Sequence, residues 1–155
     1  MSIGKNIKVI ALATAIGFGL IAQATTAKAA GTETLLVAGG CFWCVESDFE
    51  GVKGVQEAVS GFAGGTVKNP TYKQVVAGGT GHYEVVQIQF DPDVISADQL
   101  LAMFFRSIDP TDAGGQFCDR GDSYRSAIFA DGPAQQAAAE KAKSEAQAAL
   151  GKPVV

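Results

Sequence analysis

Histidine occurs once in this 155-residue chain, tryptophan once, methionine twice and cysteine three times. One imidazole and three thiols lack the paired spacing of a zinc site, so no metal is expected. Basic clusters are missing too. The first 29 residues carry three lysines (Lys5, Lys8, Lys28) and no acid, which leaves 9 basic against 16 acidic side chains beyond them, a net of −7 with His82 neutral. Such a surface repels nucleic acid, and no aromatic ladder interleaved with basic residues offsets it. No internal repeat, long linker or low-complexity tract follows residue 29, apart from an alanine-rich stretch near the end. The 126 residues from Ala30 onward suffice for one modest core and not for two domains. An odd cysteine count excludes a purely structural disulfide framework and leaves at least one thiol to explain.

What is present begins with a leader. Lys5 and Lys8 precede an apolar stretch from Val9 to Ala24, and Ala27-Lys28-Ala29 supplies small residues for cleavage. This is the pattern of a secretory signal over residues 1–29, with a domain from 30 to 155. The stretch is too short and too glycine-punctuated for a comfortable membrane span of about 20 residues. The sequence therefore predicts an exported, periplasmic protein without stable membrane insertion after cleavage.

Strands are expected over Leu35–Ala38, Val55–Ala63, Tyr83–Phe90 and Arg125–Ala130, from their apolar and β-branched runs and flanking glycine and proline. Helices are expected from Cys41 to Glu50, from Thr71 to Ala77, from Ala97 to Ser107 and from Pro133 to Leu150. Ser96 and Gln99 form a capping box for the third of these, whose Leu100, Leu101, Phe104 and Phe105 face the core, with Met103 as packing. The order is β-α-β, a short α, then β-α-β-α. It predicts an α+β two-layer sandwich of ferredoxin-like topology. Ile108 to Ser123 is the longest segment read as loop, and long loops often carry function.

Gly40-Cys41-Phe42-Trp43-Cys44-Val45-Glu46 places a cysteine where a strand turns into a helix. The free N–H groups and positive dipole end of a helix's first turn stabilise a thiolate there. Phe42 and Trp43 supply an apolar wall for a small hydrophobic group. Cys44 lies one turn along, as in a C-x-x-C exchange pair. His82 reads as a structural hydrogen-bonder, and Glu46 as support for the helix start or a buried hydrogen bond.

Taken with two further blocks, this stretch makes the chain resemble a peptide methionine sulfoxide reductase of the A type. The first block is Gly40-Cys41-Phe42-Trp43 with Glu46. The second is Gly64-Gly65, Asn69-Pro70-Thr71-Tyr72 and Gly81-His82-Tyr83-Glu84. The third is Asp119-Arg120-Gly121 with Tyr124-Arg125-Ser126. The resemblance runs from about Leu35 to Val155. It implies thiol-dependent reduction of protein-bound and free methionine sulfoxide, of the S epimer, by a monomer that binds no cofactor and is recycled by a thioredoxin-like donor. It implies Cys41 as nucleophile and Glu84 as the acid that protonates the departing oxygen. It further implies Tyr72 and Tyr124 as hydrogen-bond donors to that oxygen, Phe42 and Trp43 as the methyl pocket, and Asp119 at the rim.

This chemistry suits the residues. A sulfoxide has a poor leaving oxygen, so it needs a soft thiolate and donors aimed at the oxygen. A glutamic acid donates near neutral pH only from an apolar pocket, which Trp43 is expected to supply. The duller alternatives are that Glu84 is a solvated polar position and that Tyr72 and Tyr124 are core residues with satisfied hydroxyls. The resulting Cys41 sulfenic acid is reducible by a second thiol. Cys118 and Cys44 are the resolving candidates, with Cys118 preferred because Ala113-Gly114-Gly115 is expected to free its loop. The chain stops at Lys152-Pro153-Val154-Val155, where relatives usually continue, so either a shortened form or an incomplete sequence is expected, and the family's frequent C-terminal recycling cysteines are not among the residues given. Two rivals remain: a thiol–disulfide oxidoreductase using Cys41 and Cys44, and a non-catalytic module that grips methionine through Phe42 and Trp43.

Overall fold

The computed structural model describes residues 31–155, and the leader expected over 1–29 lies outside them. Four strands, β1 (Glu33–Gly39), β2 (Val55–Ala63), β3 (Tyr83–Phe90) and β6 (Ser126–Phe129), form one antiparallel sheet in the order β2-β3-β1-β6. Helix α1 (Phe42–Glu50) connects β1 to β2, and α3 (Ala97–Ser107) connects β3 to β6. Each of these connections steps over a strand of the other pair, which is the split βαβ arrangement expected from the element order. Helix α2 (Tyr72–Val76) lies between β2 and β3, and α4 (Gly132–Leu150) closes the chain.

Strand alternation decides what the sheet buries. Leu35 faces Ile88 and Val37 faces Val86 across the β1–β3 ladder, and all four join Phe42, Val45 and Phe49 of α1 and Leu100, Leu101 and Phe104 of α3 in one core. Both helices thus cover the same sheet face. Met103 and Phe105 pack at its margin, and Ala142 of α4 completes it. The Ser96/Gln99 capping box is present, with the Gln99 N–H donating to the Ser96 hydroxyl at 3.2 Å and the Ser96 N–H to the Gln99 side chain at 3.0 Å. Truncating a fully buried ring such as Phe49 would cost about 3–5 kcal/mol.

One expectation fails. The segment Ile108 to Ser123 is not an irregular loop: it holds β4 (Gly115–Gln116) and β5 (Asp119–Arg120), then a 3-10 turn over Asp122–Tyr124. Pairing of Gly115 with Arg120 and of Gln116 with Asp119 leaves Phe117 and Cys118 as the two tip residues of a hairpin. Gly115 has φ +143, and a Cβ there would lie 2.2 Å from the Asp119 carbonyl oxygen. The glycine is therefore needed for close strand approach rather than for freedom. Arg120 grips Asp112 with two hydrogen bonds, and the Gly121 N–H donates to the Gly114 carbonyl at 3.0 Å. Hairpins this short carry no periodic signal, so composition alone reads as loop.

Candidate active site

The site forms where β1 passes into α1. Cys41 is the N-cap residue, with φ −57 and ψ 113, and its carbonyl accepts from the N–H groups of Cys44 and Val45 at 3.1 and 3.2 Å. Its side chain makes no cap hydrogen bond and is half-buried, so the thiol remains available at the helix start. Gly40 permits the turn twice over. Its φ is +88, and a Cβ there would lie 2.5 Å from the Cβ of Gln116.

Glu84 reaches this turn from β3. Alternation puts it on the core face, two residues before Val86, where a hydrophobe would be expected, and it is 1% exposed. The reading of Glu84 as a solvated strand position is therefore wrong. Its Oε2 accepts the Phe42 N–H at 3.1 Å, while Oε1 is buried without a partner. Burial pushes the carboxyl above the ordinary glutamic acid range; the Phe42 N–H opposes the shift and the Asp119 charge adds to it. A carboxyl held this way favours the protonated form, with one oxygen free to present its proton to a ligand.

The walls differ from expectation. Phe42 is buried, and its ring lies 5.1 Å from that of Trp43, 5.6 Å from Phe62 and 6.2 Å from Tyr72, centroid to centroid. Trp43 is 60% exposed. The apolar neighbourhood of Glu84 therefore rests on Phe42 and Phe62 rather than on Trp43. Phe62 stands opposite Glu84 in the β2–β3 ladder. Its strand was legible in the sequence, but a role at the site was not, because the cross-strand register joins residues 22 apart.

Trp43 and Tyr72 stack at 5.7 Å and form an open aromatic rim. Tyr72 is placed there as the first residue of α2, which Thr71 and Gln74 cap reciprocally. Tyr124 ends the 3-10 turn. Its own hydroxyl is pushed up to about 12 by burial, then by the Glu84 charge and by Tyr72. The Tyr124 phenol is thus a hydrogen-bond donor across the physiological range. Asp119 is half-buried on β5, and its charge is felt by Glu84, Cys44 and Tyr124 alike. Cys41, Glu84, Phe42, Trp43, Tyr72, Tyr124 and Asp119 are brought to one place.

The supporting residues also have positions. Glu46 accepts from the N–H of Ser60 at 2.7 Å and from its hydroxyl, tying α1 to β2. His82 accepts the Gly65 N–H on Nδ1 at 3.2 Å, and its Nε2 lies 2.8 Å from the Val67 carbonyl, so both ring nitrogens are used in holding the β2–β3 connection. Cys44 is exposed. Hydrogen bonding toward Cys41, then burial and the charges of Cys41, Asp119 and Asp48, push its thiol upward. Cys118 is exposed at the hairpin tip, beside Phe117, which has φ +52 and is 70% exposed. Among the described residues no cluster of three or more histidine, cysteine or acidic side chains could hold a metal ion.

Residues 33–155 match the family model described as peptide methionine sulfoxide reductase. The chain belongs to this family. Among curated reductases, the peptide methionine sulfoxide reductase MsrA 2 of Rhizobium meliloti is 53% identical over 131 residues, covering 83% of this chain and 64% of the relative. MsrA 2 of Caulobacter vibrioides is 51% identical over 125 residues, covering 81% and 63%. This chain thus spans a little under two thirds of the length of those two relatives. The solved reductase structures agree in fold. Mxr1 of Saccharomyces cerevisiae in reduced form superposes with a TM-score of 0.77 at 32% identity, covering 82% of this chain and 75% of that one. Methionine sulfoxide reductase A of Corynebacterium diphtheriae superposes with a TM-score of 0.68 at 36% identity, covering 78% and 60%. Mxr1 in complex with Trx2 shares the fold at 21% identity, with a TM-score of 0.57 and coverage of 86% and 78%.

Proposed function

We propose that this chain is a peptide-methionine (S)-S-oxide reductase that acts on oxidised methionine in proteins and as the free amino acid. The observation that carries the proposal is the buried Glu84 carboxyl, with its unpartnered Oε1, held by the helix turn that begins at Cys41. An apolar carboxyl without a partner is costly, and a ligand oxygen would satisfy it. A sulfoxide supplies that oxygen, bonded directly to the sulfur that a thiolate attacks.

The Cys41 sulfur attacks the sulfoxide sulfur, Glu84 gives its proton to the oxygen, and the Tyr72 and Tyr124 hydroxyls hold that oxygen while charge develops. The methyl group lies against Phe42 and Trp43. Methionine leaves with two electrons more than the sulfoxide, and Cys41 is left as a sulfenic acid. The open rim at Trp43 and Tyr72 suits a side chain still attached to a protein. Selection of the S epimer follows from the resemblance.

Cys118 is the resolving thiol in this reading. Cys44 lies one helical turn from Cys41, with its thiol pushed upward, whereas Cys118 stands at the hairpin tip next to Asp119 of the site. A thioredoxin-like protein then returns the disulfide to thiols, and the capture of the neighbour Mxr1 in complex with Trx2 supports that choice. The leader pattern in the sequence supports the reading of an exported, periplasmic protein.

The test is to incubate the reduced protein with a methionine sulfoxide and count products. One methionine per two thiols lost is expected, with none from Cys41→Ser, since a hydroxyl without an activating base is a poor nucleophile toward sulfur. Turnover by Cys41→Ser would overturn the assignment. The Cys41–Cys44 contact also suits a thiol–disulfide exchanger, for which thiol loss would track an added disulfide and yield no methionine.

A further inference from the structure

Gln116 is a side chain that the reaction above does not use, yet it is 1% exposed and spends its amide entirely on backbone and hydroxyl partners. Its Oε1 accepts the Asp109 N–H at 2.7 Å, and its Nε2 donates to the Asp109 carbonyl at 2.8 Å and to the Ser126 hydroxyl at 3.0 Å. Asp109 lies just beyond α3, and Ser126 opens β6 opposite Gly39. The stem of Gln116 fills the space that a side chain at Gly40 would need, with Cβ to Cβ at 2.5 Å. Its cross-strand partner is Asp119, and Cys118 stands between them at the hairpin tip. One buried side chain thus joins the end of α3, the start of β6, the turn before Cys41 and the hairpin that carries Cys118.

We propose that Gln116 is a positioning residue for the second half of the reaction, seating the β4–β5 hairpin on the Gly40 turn so that the Cys118 thiol reaches the Cys41 sulfenic acid. The proposal rests on the reading of Cys118 as the resolving thiol. Cys41 has anchors besides Gln116, because β1 is paired with β6 as far as Gly39 and α1 begins at once with the Phe42 N–H on Glu84. The hairpin has no neighbouring strand of the large sheet, and its place depends on Gln116 together with the Arg120–Asp112 pair. In the step concerned, the Cys118 sulfur bonds to the Cys41 sulfur and the sulfenic S–O bond breaks. The oxygen leaves as water with the Cys118 proton, and no further reductant is consumed. The step needs the two Cα atoms within about 7 Å, a tolerance that a loosened hairpin would exceed for most of the time.

The experiment is a single turnover of reduced protein with one equivalent of methionine sulfoxide. It follows methionine by chromatography, sulfenic acid by a 1,3-dione trap and the disulfide by peptide mapping. Gln116→Met keeps the volume and removes every amide contact; Ser126→Ala removes one hydrogen bond and serves if the first variant does not fold. Methionine formation within about threefold of wild type is expected in both. Disulfide closure should be slower by about tenfold or more in Gln116→Met and by a few-fold in Ser126→Ala, with sulfenic acid accumulating. Equal slowing of both steps would reduce Gln116 to a stabilising residue and overturn the proposal, as would unchanged closure. A Cys41–Cys44 bridge in wild type would instead remove the reading of Cys118 and the proposal with it. A Cys41–Cys118 bridge that ignores both substitutions would remove the proposal alone.

Discussion

Replacing Glu84 by Gln separates proton transfer from everything else this side chain does. The Gln carbonyl can keep accepting the Phe42 N–H, which Glu84 Oε2 accepts at 3.1 Å, and the amide nitrogen then occupies the place of the unpartnered Oε1. That nitrogen can still donate a hydrogen bond to a sulfoxide oxygen, but it has no proton to give away. The loss is therefore that of general acid catalysis, roughly 10²- to 10³-fold or about 2.7–4 kcal/mol of barrier, while the two tyrosine hydroxyls and the aromatic wall are retained. Glu84→Ala is the poorer probe, since stranding the Phe42 N–H costs about 1–3 kcal/mol of stability.

Two pH dependences follow from the same carboxyl. Methionine formation in wild type should fall as pH rises through the raised folded value, because the acid form is the donor, and this limb should be missing in Glu84→Gln. For stability the sign is the reverse of the usual acidic side chain. A carboxyl pushed above its ordinary value near 4.5 binds more protons folded than unfolded, so wild-type stability declines from that pH upward until the folded value is passed. Glu84→Gln does not titrate and should gain on wild type across that window. Rapid-quench single turnover and denaturant unfolding from pH 4 to 9 measure both effects. An unchanged chemical step, or a basic limb that persists in the variant, would assign the proton to another donor.

Three further outcomes are expected. Peptide mapping after one turnover should find a Cys41–Cys118 bridge in wild type and in Cys44→Ser, while Cys118→Ser accumulates sulfenic acid; normal recycling by Cys118→Ser would give the role to Cys44. Tyr124→Phe and Tyr72→Phe should each slow methionine formation by roughly tenfold, the loss of one donor to a developing oxyanion, with a larger effect when combined; rates within twofold of wild type would make them packing residues. Mass spectrometry of protein from an exporting host should show a start near Ala30, and an intact Met1 on the exported product would refute cleavage.

The fold was legible where a period or a cap marked it. The apolar runs of β2 and β3 and the Ser96/Gln99 box set element ends that the structure reproduces residue for residue, because alternation and capping are local signals. At the site the sequence named seven side chains that the fold brings together, and the resemblance did most of that work. Gly40-Cys41 is the part readable from chemistry alone, since a glycine pair before a helix start is a local statement.

What stayed hidden depends on pairing between distant segments. Glu84 was expected in an apolar pocket supplied by Trp43, whereas register sets it opposite Phe62 and beside Phe42, so its burial is a property of two strands and a helix rather than of its neighbours in sequence. Gln116 is a stronger case. Nothing in Gly115-Gln116-Phe117-Cys118 announces a buried amide, and Gly114-Gly115 just before it points to flexibility when read locally. In the fold glycine does the opposite: Gly40 admits the Gln116 stem and Gly115 admits the Asp119 carbonyl, so two absent side chains let a short hairpin close over the turn that carries Cys41. A segment that must approach the nucleophile only after methionine has left is better served by such a fixed, shallow seat than by a free loop, because each residue left unordered would add an entropic cost of closure to the resolving step.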